Sequence, residues 1–216
     1  MSLLDAYCTI TEYRARTGSE ASAANATLTA QITAVARLLE RSLQVAPGAF
    51  NSATGTRVFD GSGRSILRLR DDRGMQEFLQ SIDADSLKID SDLDGSYDDY
   101  TFDTADAWVR GLPANAAAHS EPFTAIELRP ISTATLTVFP KLAGCIQIVG
   151  TWGWPAVPGM IKELNAHMTY DLEQAHLAGA TGNIPAIDDA MPLSQETWRL
   201  WRLAERMYGR RLPVVA

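Results

Sequence analysis

Residues 144–171, GCIQIVGTWGWPAVPGMIKELNAHMTYD, constrain the fold more than any other stretch because they hand a strand directly to a helix. Cys145, Ile146, Ile148 and Val149 have the character of a buried strand. Pro155 and Pro158 forbid continued sheet pairing, and Pro158 suits a first helical turn. Beyond it Ile161, Leu164, Met168, Leu172 and Ala175 recur at helical spacing as one apolar stripe. A β-rich region therefore ends here and a helix follows, with Trp152 and Trp154 at the joint. Trp152 is in register with Ile148 and Gly150, so it is expected against the helix face of Ile161 and Leu164.

The hydrophobic period changes elsewhere in the same way. Thr9 and Glu12 sit at capping-box spacing and open a short helix that Gly18 can end. Leu28, Ile32, Val35, Leu39 and Leu43 then predict a long helix that stops before Pro47 and Gly48. From residue 57 to 151 the apolar runs are short and bounded by Gly, Asp, Asn and Pro: 58–59, 66–69, 87–89, 100–102, 126–128, 136–139 and the Cys145 run. Residues 74–80 are expected to add a helical turn, and Gly61-Ser62-Gly63 a hairpin connection. A loop over 179–192 precedes a last helix over about 194–208. The expectation is an α+β protein, with a helical core from residues 1–51 and 153–216 and an inserted antiparallel β domain over 52–152.

Charge and composition exclude several function classes. A net charge of -7 argues against a nucleic-acid footprint, which needs clustered Lys and Arg to neutralise phosphates. Cys8 and Cys145 form no CxxC pair, which predicts reduced thiols. The first turn lacks a basic region and Asp5 interrupts the apolar residues, so no signal peptide is expected; no run reaches the ~20 apolar residues of a membrane span. His167 and His176, nine apart, do not make the i, i+4 pair of a zinc site, and His119 falls in a loop. With no GxSxG and no phosphate-binding Gly loop, no catalytic residue and no enzyme activity is assigned.

Two segments stand out locally. Residues 83–106 hold nine aspartates opposed only by Lys88. Asp90, Asp92, Asp94 and Gly95 copy the opening of a calcium loop, with Asp98 at its ninth position. Position twelve is Thr101 where a bidentate glutamate belongs, and the flanks read as strands, so an acidic hairpin turn is the preferred reading and a calcium site the alternative. The last helix places Trp198, Leu200, Trp201, Leu203, Ala204, Met207 and Tyr208 over more than half its circumference, with Arg199, Arg202, Arg206 and Arg210 in one basic stripe. It is either a core helix with solvated arginines or an interface built from the residue types that dominate hot spots.

Residues 148–158, IVGTWGWPAVP, resemble a run that leads into the principal helix of head-to-tail connector proteins (adaptor, or head-completion proteins) of tailed bacteriophages. ITEY at 10–13, IDSDLDGSY at 89–97, and LPANA at 112–116 followed by PFTAIEL at 122–128 resemble the same family in the same order. The resemblance implies a structural virion protein of the neck, assembled in the host cytoplasm. It implies a closed ring of about twelve copies under the portal protein, extending the DNA channel and docking a stopper or tail-terminator protein. It further implies a C-terminal grip on the portal through Trp198, Trp201, Arg202, Arg206, Tyr208, Arg210 and Arg211, with DNA passing through unread and no membrane or cofactor involved. The competing expectation is a calcium-stabilised binding module of a tail or surface protein.

Overall fold

The joint at residues 144–171 is resolved as strand β7 (Ile146–Trp152) followed by helix α3 (Gly159–Leu177). The computed structural model describes residues 6–19, 25–81, 86–101, 109–114, 116, 120–130, 136–177 and 193–209. The chain is mixed α+β, with helices α1 (Ile10–Thr17), α2 (Asn25–Leu43), α3 and α4 (Gln195–Tyr208) and two antiparallel sheets. It divides into two compact units, Met1–Phe50 with Val157–Ala216, and Asn51–Ala156.

In the β unit, β1 (Ala53–Phe59), β7, β3 (Leu87–Ile89) and β4 (Tyr100–Thr101) form one sheet in that order, so β7 is central. The second sheet runs β2 (Ile66–Arg68), β6 (Ala125–Leu128), β5 (Val109–Leu112). Alternation along β7 buries Ile146, Ile148 and Trp152 and leaves Val149 exposed. Gly150 keeps the same inward face but carries no side chain. A Cβ there would stand 3.0 Å from Leu79 Cδ1, so the missing side chain is where Leu79 packs. Trp152 closes this core rather than covering a helix. Its Nε1 donates to Gly55 O at 2.9 Å, its ring lies 5.7 Å from Phe59, and the Arg57 guanidinium sits 4.4 Å above it. That expectation is thus corrected: alternation along β7 aims Trp152 at the β core with Ile146 and Ile148.

Three other expectations change. Residues 74–80 are extended, not helical, because Arg70 bridges Gln76 and Leu79 bridges both Phe123 and Trp152. Residues 136–139 form bends; Phe139 enters the core while Val138 stays half exposed. Strand β5 was not expected, since its four residues straddle Gly111, where any Cβ would enter the Phe123 ring.

In the helical unit, the expected capping box of α1 is present: Thr9 Oγ1 accepts from Glu12 N, Glu12 Oε2 accepts from Thr9 N, and Gly18 ends the helix at φ 64°. All five apolar positions foreseen in α2 are buried, and the helix ends before Pro47 at Gln44, whose φ is 55°. Pro158 precedes α3 rather than entering it, and its carbonyl accepts from Ile161 N at 2.9 Å. Helix α3 is packed by α1, α2 and α4 and buries polar residues as well as Ile161, Leu164 and Met168 of its stripe, while Leu172 and Ala175 are half-buried. Asn165 Nδ2 donates to Ile32 O at 3.1 Å, and Asn165 Oδ1 accepts from Cys8 Sγ at 3.3 Å. Glu173 accepts from Tyr13 Oη at 2.6 Å. Burial pushes the Cys8 thiol up to about 12, and burial against Glu173 raises the Tyr13 phenol.

Candidate functional site

Helix α4 starts at Ser194, whose hydroxyl accepts from Thr197 N at 3.2 Å while its own N–H donates to Asp171 Oδ2 of α3 at 2.8 Å. Only Thr197 and Ala204 of this helix are buried. They are two turns apart and mark one narrow line of contact. Trp198, Leu203 and Met207 lie off that line. The Trp198 and Trp201 rings stack at 5.0 Å with 16° between planes. The Arg202 guanidinium lies 4.9 Å from the first ring centroid and 5.6 Å from the second.

Trp201 is anchored from below, since its Nε1 donates to Ser42 Oγ of α2 at 3.3 Å. Trp198 is 43% exposed, and Leu203 and Met207 are also exposed, at 42% and 55%. Arg199 and Arg206 face solvent; Arg202 comes within 3.8 Å of Glu205 on the next turn. Tyr208 packs edge-on against Phe50 at 5.6 Å, fixing the last turn to the helical core. The helix ends at Tyr208, with Gly209 N donating to Glu205 O at 3.0 Å. Arg210 and Arg211 lie outside the described residues. A core assignment fits Thr197 and Ala204 but not Trp198, whose ring is displayed on a platform held by Ser42 and Arg202.

The aspartate segment occupies the connection between β3 and β4. Ile89 pairs with Tyr100 and Lys88 with Thr101, so the same antiparallel register carries Asp90 toward Asp99. Carboxylate oxygens of Asp90, Asp92 and Asp99 lie within 4.8 Å of one another. Asp98 and Asp94, the other two calcium candidates, are outside this group. Asp94 Oδ1 instead accepts from Ser96 N at 2.7 Å, which is a local turn bond. Asp99 was overlooked because counting along a calcium loop selects Asp98, while hairpin register selects its neighbour. Ser91 donates to Asp99 Oδ2 from its hydroxyl at 2.7 Å and from its N–H at 2.6 Å. These bonds, the hydroxyl first, hold the Asp99 carboxyl below the usual carboxylate range. Asp90 is 3% exposed; its Oδ2 accepts from Gly95 N at 3.0 Å, and its Oδ1 is buried without a hydrogen-bond partner.

Among the other titratable groups foreseen by sequence, His167 Nε2 stands 3.5 Å from Glu163 on the same helix. His119 and the side chain of His176 lie outside the described residues. No helix among the described residues is long and apolar enough to cross a membrane. The chain matches no family model and no curated protein.

Proposed function

We propose that this chain is a head-to-tail adaptor of a tailed phage or related particle. It assembles as a ring beneath the portal, lengthens the DNA channel and offers a surface to the next neck protein. The observation that carries this reading is the outward face of α4, where exposed Trp198 stacks on half-buried Trp201 under Arg202 and is not consumed by the chain's own core. Exposed aromatic residues beside arginine are the residue types that dominate the centres of protein interfaces. The flat guanidinium can also meet a partner carboxylate through two parallel hydrogen bonds. The four segments in register with connector proteins supply the partner, which is the portal.

The mechanism is mutual burial. Heterologous contacts between neighbouring copies close on themselves in a ring, and a portal ring displays many equivalent sites, so each weak contact acts at high effective concentration. A net charge of -7 suits a channel wall that DNA slides past, because such a wall does not grip phosphates. The chemistry requires no catalytic group.

The test is binding of the full chain to portal rings from the same particle, followed by gel filtration. Truncation after Tyr208 removes Arg210 and Arg211 and leaves α4 intact. The variants Trp198→Ala and Arg202→Ala dismantle the platform. Loss of portal binding in folded variants supports the adaptor reading. Binding equal to that of the parent chain in all three rejects the C-terminal grip.

A further inference from the structure

We propose that Asp90, Asp92 and Asp99 form a calcium site that pins the β3–β4 hairpin. Asp90 decides it: the carboxylate is 97% removed from solvent, yet only Oδ2 has a partner, the Gly95 N–H, and Oδ1 has none. A buried carboxylate oxygen without a donor is costly unless a cation or donor completes its shell. None of the ion pairs among the described residues involves Asp90, Asp92 or Asp99.

The separation fits one shared ion. Calcium binds oxygens at roughly 2.4 Å, so two ligands of one ion are at most about twice that distance apart. The three carboxylates meet this limit at 4.8 Å. Calcium accepts six to eight oxygens in flexible geometry, and two of the three ligands here are exposed, leaving room for water on the open side. Magnesium demands a stricter octahedron and keeps more of its water, which this half-open arrangement does not match as well. Asp99 is already oriented toward the group by Ser91, whose hydroxyl and N–H donate to its Oδ2 at 2.7 and 2.6 Å. The loop is further tethered by the Tyr97 hydroxyl, which donates to Gly144 O at 2.7 Å. Bound calcium would therefore join the ends of β3 and β4 across a connection already fixed at one point.

The experiment is calorimetric titration of the chelator-treated full chain with calcium chloride, alongside thermal unfolding with and without the ion. The expected result is one calcium per chain with a Kd below about 1 mM and a melting temperature that rises with calcium. Asp92→Asn and Asp99→Asn should each weaken binding by about tenfold or more, whereas Asp94→Asn and Asp98→Asn should change it by less than about threefold. Asp90→Asn is avoided because it also disturbs the Gly95 bond; the two exposed ligands keep the test clear of folding failure. Absence of binding and of any thermal shift at about 10 mM calcium overturns the proposal. So does equal weakening by Asp94→Asn or Asp98→Asn, which would indicate general attraction to an acidic loop. Neither outcome bears on portal binding, so the adaptor reading is tested separately.

Discussion

Helix α3 carries Asn165, Thr169 and Glu173 on surfaces the chain buries, whereas α4 carries Trp198, Leu203 and Met207 on surfaces it leaves open. Hydrophobicity alone would have assigned them the other way round. The difference lies in what surrounds each helix. Every buried polar group named on α3 has a specific partner: Ile32 O and Cys8 for Asn165, Tyr13 for Glu173, and its own turn for Thr169, whose hydroxyl donates to Asn165 O at 2.7 Å. Helix α4 meets its neighbours along a single stripe through Thr197, Trp201, Ala204 and Tyr208. Trp198, Leu203 and Met207 are therefore available to another molecule, and polar residues can be the more buried ones when their bonds are satisfied.

The widest gap between the two helices should appear when the same side chain is removed from each. Leu164 on α3 is fully buried, so Leu164→Ala should cost roughly 2 to 5 kcal/mol, while Leu203→Ala on the open side of α4 should stay within about 0.5 kcal/mol. Urea unfolding followed by circular dichroism reads both. Equal costs would mean that α4 is a core helix after all. A smaller contrast comes from polar groups. Asn165→Ala removes the amide that bonds both the Ile32 carbonyl and the Cys8 thiol inside the protein and should cost about 1 to 3 kcal/mol; Ser194→Ala removes only the α4 cap and should cost about 1 kcal/mol. If the cap variant proves the more damaging, the polar bonds of α3 are weaker than their burial implies.

The platform itself should matter little to the isolated chain. Arg202→Ala removes an exposed guanidinium from two rings, so the change in stability should be about 0.5 to 1 kcal/mol. Tryptophan fluorescence should change more than stability does, because both stacked rings lose their cover. A loss several times larger would show that Arg202 serves the fold.

Which parts of this architecture are legible in sequence follows from how local the governing interaction is. Helix α1 is readable because Thr9, Glu12 and Gly18 write its two ends within ten residues. Helix α2 is readable from period alone, since its stripe faces one core. Residues 74–80 and 136–139 are not, because their conformations are set by distant partners: Leu79 by Phe123 and Trp152, Phe139 by the Arg64 carbonyl it meets at 2.9 Å. The α+β class survives these misreadings because it needs only the change of period, not every boundary. The candidate sites divide in the same way. The Trp and Arg content of α4 is visible in the sequence, but the support from Ser42 and Phe50 is not. The Asp90–Asp99 approach depends on strand register, which the loop spacing conceals.

The finest distinction between the helices is electrostatic and pH-dependent. Helix α3 is tied to α1 by Lys162, whose Nζ donates to Glu12 Oε1 at 2.7 Å, while the nearest equivalent on α4, Arg202 with Glu205, stays within one helix at 3.8 Å. The Lys162 bond first, and the Thr9 N–H after it, hold the Glu12 carboxyl below the usual carboxylate range. Because the folded value lies below the unfolded one, the pair stabilises the fold above the ordinary glutamate range near 4.3 and loses that contribution as pH falls through the folded value. Both side chains are 30% exposed, so solvent screening keeps the effect small. Lys162→Met should cost about 0.5 kcal/mol at pH 7, and the gap from the parent chain should narrow steadily below pH 4. Glu205→Gln, which touches no second helix, should show no comparable trend. Unfolding titrations at pH 7 and pH 3 compare the two directly. A Lys162→Met penalty that is the same at both pH values would mean that the lysine stem, packed along α1, supplies the stability and the charge does not.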